Sequence, residues 1–240
     1  MLSLRDLLAP VFQWQEVSIL CYHSIEQKPS AFTTSALQFD MHLAALKRWG
    51  YSFVSLGDVI EWMEDKKVLP KKVIALTFDD GYEDFETHAL PLLKKYSAPA
   101  TLFVIGDPAG ADWDPKRNRF LTPEALERLR QEPLVELGFH TFKHPMLDEL
   151  HGEALTHEVT APWSARFFAY PGGHYSQEAI DAIRRAGYVA AFSIKPTLVH
   201  KNSDKYLMPR NVITKDTVLW ELRFACTKAL DWYRALWRLI

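Results

Sequence analysis

The sequence predicts an α/β chain with a parallel sheet curled toward a barrel that closes imperfectly. Three observations lead there. Short apolar runs alternate with helical runs from about Val17 to the C-terminus. A repeated strand-then-helix order requires crossover connections, which make neighbouring strands parallel and place the helices outside. The 240 residues, about half apolar and a quarter charged, suit one large globular α/β domain over 1–240.

In chain order, Val17 to Tyr22 reads as the first strand. Ser35 to Trp49 reads as a helix with Leu37, Met41 and Leu43-Ala44 on one face and Gly50 as its stop. Tyr51 to Ser55 is a short strand, Leu56 to Lys66 a helix, and Lys72 to Phe78 the clearest strand. Tyr82 to Tyr96 is helical, and Ala100 to Ile105 returns to strand. Gly106 to Phe120 is a polar loop, and Thr122-Pro123-Glu124 opens a helix with a cap, a proline at the first helical position and an early acid. Strands follow at Leu134 to Gly138 and Ala165 to Tyr170, then a helix from Ser176 to Ala186. Val189 to Ile194 and Leu207 to Ile213 are strands, and Thr217 to Ile240 is a long amphipathic helix.

A net charge of -2 gives no electrostatic reason to bind nucleic acid. Cys21 and Cys226 lie in apolar segments and read as buried free thiols. The eight Trp and nine Tyr fit core positions better than a sugar groove. The first ten residues carry charges and no long apolar run, so they do not read as a signal peptide, and no segment suits a membrane span. The expected compartment is the cytoplasm, or the periplasm or cell exterior if a leader has been removed.

Chemistry concentrates at strand ends, where barrels keep it. The strand through Phe78 stops at Asp79-Asp80-Gly81. Two adjacent carboxylates at the end of a buried strand repel one another and are costly to desolvate. A cation for one and a proton for the other would account for both. His140 and His144 can converge from one helix face or from a loop turning at that pitch. With one carboxylate they form a three-ligand site with open positions, suited to hydrolysis. Arg166-Phe167-Phe168-Ala169-Tyr170-Pro171-Gly172-Gly173 carries an Arg able to hold a carboxylate, then a turn whose N–H groups could face an oxyanion. His23, at the end of the first strand, could protonate a leaving amine. His42, His88, His151 and His157 read as solvated surface residues.

Together these segments resemble the polysaccharide deacetylase family, the carbohydrate esterases that share the NodB homology domain. Thr77-Phe78-Asp79-Asp80-Gly81, His140-Thr141-Phe142-Lys143-His144-Pro145 and Arg166 through Gly173 are similar to its first three motifs. The resemblance implies a distorted (β/α)7-type barrel and a hydrolase that removes N-acetyl groups from N-acetylglucosamine-type sugars. It makes Asp79 the general base and Asp80, His140 and His144 the ligands of a divalent ion, Zn²⁺ ahead of Co²⁺ or Ni²⁺. Arg166 would orient Asp79, and the Tyr170 N–H would help hold the oxyanion. Tyr22-His23-Ser24-Ile25 resembles the subgroup that deacetylates poly-N-acetylglucosamine, in which the acid His comes early. This favours His23 over the late alternative, His200, while Arg210 is a candidate for the rim. The family's late Asp-x-x-x-Trp motif has no evident counterpart. Two rival expectations are a deacetylase or deformylase of a lipid-linked amino sugar, and a sugar-binding homologue without catalysis. The apolar stripe of 217–240 suits core packing, or failing that a membrane or partner surface.

Overall fold

The computed structural model describes residues 17–26, 32–108 and 119–227. Its centre is a sheet of eight strands: β1 (Val17–Tyr22), β2 (Ser52–Val54), β3 (Val73–Phe78), β4 (Ala100–Val104), β5 (Val135–Phe139), β6 (Phe167–Ala169), β7 (Ala190–Phe192) and β8 (Asn211–Val212). The order is β7-β6-β5-β4-β3-β1-β8, with β2 paired to β3, and every named pairing is parallel. The sheet curls as expected and stays imperfectly closed. β5 and β6 share one register pair, Phe139 with Phe168, and the two edges approach through one bridge, Phe192 to Met208. The expected strand from Leu207 is cut to Asn211–Val212, because Pro209 has no N–H to give a ladder.

Side-chain alternation sorts these strands into two layers. Val17 and Ile19, Val73 and Ala75, Phe103, Phe167 and Phe192 share one buried cluster inside the curl. Helix α2 (Leu56–Met63) adds Leu56, Val59, Ile60 and Trp62 to that cluster. Its start is fixed by a reciprocal cap in which Ser55 and Asp58 each accept the other's N–H, at 3.0 and 2.9 Å, an arrangement worth about 1 kcal/mol. Gly138 belongs to the same inner layer. A Cβ there would lie 2.5 Å from Cδ1 of Phe103, so the ring takes the space a side chain would fill. The alternate residues Leu20, Tyr22, Ile74, Leu76 and Phe78 pack outward, with Phe39, Leu43 and Leu46 of α1 (Ala36–Arg48) in the same cluster.

Several expectations change in detail. The buried stripe of α1 is Phe39, His42, Leu43, Ala45 and Leu46, while Leu37 and Met41 are exposed. His42 is not solvated, because it bridges the Tyr22 hydroxyl and the Thr217 carbonyl. The helix expected from Tyr82 begins later, as a π-helical turn Phe85–Ala89 that runs into α3 (Leu90–Tyr96). Leu90 N–H donates to Phe85 O, five residues back, and Pro91 offers no N–H to tighten the turn. The remaining helices are α4 (Pro123–Arg130), α5 (Gly152–Val159), α6 (Gln177–Arg185) and α7 (Leu219–Ala225). In α7 Leu222 is buried and Trp220 exposed. The rest of the expected C-terminal helix, from residue 228, and the N-terminal segment 1–16 lie outside the described residues, as does 109–118 of the polar loop. No helix among the described residues is long and apolar enough to cross a membrane.

Candidate metal centre and its acid-base surroundings

The site begins with β3. Val73, Ala75 and Thr77 face inward, and the same two-residue step continues to Asp79. Asp79 N–H donates to Tyr22 O at 3.0 Å, extending the β1–β3 ladder by one bond. The backbone then turns left-handed twice, at Asp80 (φ 76°) and Gly81 (φ 79°). Aspartate tolerates that region better than bulkier residues. The turn carries the Asp80 carboxylate toward the end of β5.

Both carboxylates are buried, and each has a different partner. Asp79 is gripped by Arg210, whose Nη1 and Nη2 donate to Oδ1 and Oδ2 at 2.6 and 2.8 Å. Arg210 is wholly buried. Its Nε donates to Ser193 O, Nη1 also reaches Thr77 Oγ1, and the guanidinium lies over the Phe103 ring. Burial alone would raise the Asp79 carboxyl, but Arg210, His140 and His23 outweigh it and hold it well below the usual aspartate range. The carboxylate is therefore ionised across the working pH range.

Asp80 faces the two histidines. His140 Nε2 lies 3.5 Å and His144 Nε2 3.6 Å from Asp80 Oδ1. Nδ1 of His140 donates to Ala169 O at 2.8 Å, so the lone pair sits on Nε2, toward Asp80. The segment after His140 is a loop and not a helix, with left-handed backbone at Thr141 (φ 66°) and His144 (φ 61°). It is held from behind. The Glu158 carboxylate accepts the N–H groups of Phe142 and Lys143, and Thr141 Oγ1 accepts that of His144. Burial pushes His140 down, and burial with the neighbouring His140 pushes His144 down to about 3. Both rings are neutral at neutral pH, as ligands must be.

The three donors fit a small dication. Tetrahedral Zn²⁺ with bonds near 2.0–2.1 Å keeps its ligand atoms about 3.3 Å apart, close to the 3.5 and 3.6 Å found here. Asp80, His140 and His144 form one of two groups of donor side chains among the described residues with all ligand atoms within 4.8 Å.

His23 joins this centre. Burial lowers it to about 4 against the opposing pull of Asp79, and its ring sits 5.0 Å from that of Phe32. Its segment is pinned by Asp84, which accepts the Ser24 hydroxyl at 2.6 Å and the Ile25 N–H at 3.1 Å. His88 is exposed, as expected, and its Nδ1 donates to Ile25 O, so it also supports the same segment. His200 is elsewhere. Val199 pairs with Val17, at the start of β1, and His200 therefore lies at the opposite end of the strands from Asp79. His151 is exposed and paired with Glu178, and His157 is exposed.

Two expectations are corrected. Arg166 does not orient Asp79. It precedes β6 at the far end of the strand, is 53% exposed along its side chain, and donates to Glu136 at 3.2 Å with its guanidinium over Phe167. Arg210, expected at the rim, takes that place from inside. The Tyr170 N–H is not available to an oxyanion. It donates to Phe192 O at 3.0 Å as part of the β6–β7 pairing, and the Tyr170 hydroxyl donates to Tyr206 O.

Sequence reasoning missed Glu158 and Asp84, because an acid in an amphipathic helix or after a turn reads as solvated. Arg210 carried a usable signal, since a guanidinium inside Met208-Pro209-Arg210-Asn211-Val212 needs a buried acid. Cys21 did as well: it shares the inner face of Val17 and Ile19 and donates to Asp79 Oδ2 at 3.4 Å.

An α/β half-barrel with an Asp-His-His centre and an ionised aspartate at its C-terminal rim has the layout of a metal-assisted hydrolase. Residues 66–191, just over half of the chain, match the sequence profile of Polysaccharide deacetylase, and the chain belongs to that family. The matched span includes Asp79, Asp80, His140 and His144, whereas His23 and Arg210 fall outside it. YxkH of Bacillus subtilis is 27% identical, over 81% of this chain and 70% of its own. The Poly-beta-1,6-N-acetyl-D-glucosamine N-deacetylase of Staphylococcus aureus is 24% identical, over 83% of this chain and 74% of its own. Among solved structures, the Streptococcus pyogenes deacetylase PplD in complex with acetate superposes with a TM-score of 0.76, at 24% identity, over 90% of this chain and all of that one. IcaB from Ammonifex degensii also reaches 0.76, at 24% identity, over 90% of this chain and 99% of its own. These likenesses share the fold.

Proposed function

We propose that this chain is a metal-dependent hydrolase that removes N-acetyl groups from N-acetylglucosamine-type sugars in a polysaccharide or oligosaccharide. The observation that carries the reading is the division of labour between the adjacent carboxylates: Asp80 faces two neutral imidazoles, while Asp79 faces Arg210. The relative named for poly-β-1,6-N-acetyl-D-glucosamine and the fold neighbour holding acetate support the choice of substrate and product.

Asp80, His140 and His144 would hold the cation, Zn²⁺ first by donor set, which when bound supplies the Lewis acidity that polarises an amide carbonyl and acidifies a water. The chain's own groups do the rest. Asp79 accepts the proton of the attacking water. Arg210 keeps that carboxylate ionised and aimed through two parallel hydrogen bonds. His140 keeps Nε2 bare by donating Nδ1–H to Ala169 O. His23 hands a proton to the departing amine. Because His23 rests neutral, the proton it hands on is the one Asp79 has taken from the water, passed from the carboxyl to the neighbouring imidazole before the carbon–nitrogen bond breaks.

Acetate release from β-1,6- and β-1,4-linked N-acetylglucosamine oligomers tests the reading, after chelation and after adding back Zn²⁺, Co²⁺ or Ni²⁺. Release lost on chelation and restored by metal is expected. Folded, metal-replete protein that frees no acetate from any N-acetylated sugar would overturn it.

A further inference from the structure

We propose that Cys21, His23 and Asp79 form a second divalent-cation site, selective for thiophilic ions such as Zn²⁺ and Cd²⁺, and that filling it switches the enzyme off. The second group of donor side chains is this one: a ring nitrogen of His23, Sγ of Cys21 and a carboxylate oxygen of Asp79 all lie within 4.8 Å of one another. The fold puts them there. Cys21 is in register with Thr77 across β1 and β3, on the same inner face, so one step onward its sulfur meets the Asp79 carboxylate at 3.4 Å. A tetrahedral ion with one sulfur and harder co-ligands needs separations of about 3.3–3.8 Å. His23 Nδ1 is buried and has no hydrogen-bond partner among the described residues. A buried polar atom in that state calls for an explanation, and an ion is one.

The carboxylate has room for the ion. Arg210 uses one lone pair on each oxygen of Asp79, and a carboxylate offers about four. On binding, the thiol proton leaves for solvent and a sulfur–metal bond replaces the S–H bond, with no change of oxidation state. Thiolate, carboxylate and guanidinium together carry one negative charge, so the ion is neither strongly attracted nor excluded. Filling the site also requires the Cys21 thiol to give up its proton, a step that the carboxylate and neutral imidazoles of the Asp80 centre do not need, so it is weaker than that centre and filled only in excess metal. The sulfur sets its preference: thiolate favours Zn²⁺ and Cd²⁺ over oxygen-seeking ions such as Mg²⁺. A filled site ties up the carboxylate that takes the proton and the imidazole that returns it. This consequence for turnover rests on the proposed function; the binding itself does not.

The test uses the full chain, stripped by chelator, and its Cys21→Ser and Cys21→Ala variants. Each is titrated with Zn²⁺, Cd²⁺ and Co²⁺ while bound metal, near-ultraviolet absorbance and acetate release are followed. The wild type is expected to bind two equivalents, the second bringing a sulfur-to-Co²⁺ charge-transfer band. Acetate release should rise with the first Zn²⁺ and fall roughly tenfold or more with the second. Both variants should bind one equivalent, show no such band, and keep activity within about threefold of the one-metal wild type in excess Zn²⁺. Cys226 is present in all three proteins, so loss of the band assigns the sulfur to Cys21. A wild type that binds one ion, or variants that bind the second as tightly and are inhibited as strongly, would overturn the second site. A band without acetate release under any condition would support the second site and sink the proposed function.

Discussion

Replacing Arg210 by Met tests how the buried acid–guanidinium pair is held. The pair makes two hydrogen bonds of 2.6 and 2.8 Å, with both side chains almost fully buried. Removing one partner leaves an uncompensated buried charge, a loss of about 3–5 kcal/mol. That is a large part of the roughly 5–15 kcal/mol by which a domain is stable. For a chain of this size, each kcal/mol corresponds to about 2–4 °C in Tm, so melting should fall by on the order of 10 °C. Lys in place of Arg keeps the charge but cannot reach Asp79, Ser193 and Thr77 together, and should fall between the two. A functional change goes with this. Without Arg210, burial is the main influence left on Asp79 and drives its carboxyl upward. The acid limb of kcat/KM should then move to higher pH, because more acid-side protons keep the base occupied. In the wild type the depressed Asp79 contributes stability above the ordinary value of 3.8, lost as pH falls through its lower folded value, so the two proteins should converge only in strong acid. Calorimetry and a pH series of acetate release would check both. An Arg210→Met protein within about 1 kcal/mol of wild type, with an unmoved acid limb, would refute the reasoning.

Other outcomes follow from the same geometry. Asp79→Asn should keep the first metal equivalent, measured by elemental analysis, and lose turnover, and it should also melt lower because Arg210 is left unpaired. Glu158→Ala frees the N–H groups behind the histidine loop and should weaken metal binding about 10- to 100-fold by competition with a chelator, with little change in helical signal. Gly138→Ala should cost about 1–3 kcal/mol in denaturant titration, because its Cβ would press on Phe103. Burial pushes His23 and His42 down to about 4 and His144 to about 3, below the 6.5 of the unfolded chain. The unfolded chain therefore takes up protons first. The metal-free protein should lose about 1.4 kcal/mol per pH unit for each such histidine as pH falls from about 6.5 to about 4; flat stability over that range would contradict the burial of these rings.

Local pattern along the chain was enough to set the elements. Parallel strands and outer helices followed from the alternation of apolar runs, and a centre built from the Asp79-Asp80 pair with His140 and His144 from their place at and after strand ends, while the choice of Asp80 over Asp79 as the donor came from the motif resemblance. Early His23 was also legible, since its position after Tyr22 puts it at the same rim. Partnerships between residues far apart in the chain emerge only in three dimensions. Arg210 holds Asp79 across 131 positions, Glu158 braces a loop from the next helix, and Cys21 meets Asp79 through the β1–β3 register. The motif spacing favoured Arg166 for the first of these tasks, but a strand of three residues leaves it at the wrong end. The Tyr170 N–H was likewise already engaged by β7, which no local pattern reveals. The physical reason is common to all of them. Periodicity reports which face of an element is buried, whereas the partner that neutralises a buried charge or accepts a backbone proton is chosen by sheet order and register, and these exist only once the chain has closed on itself.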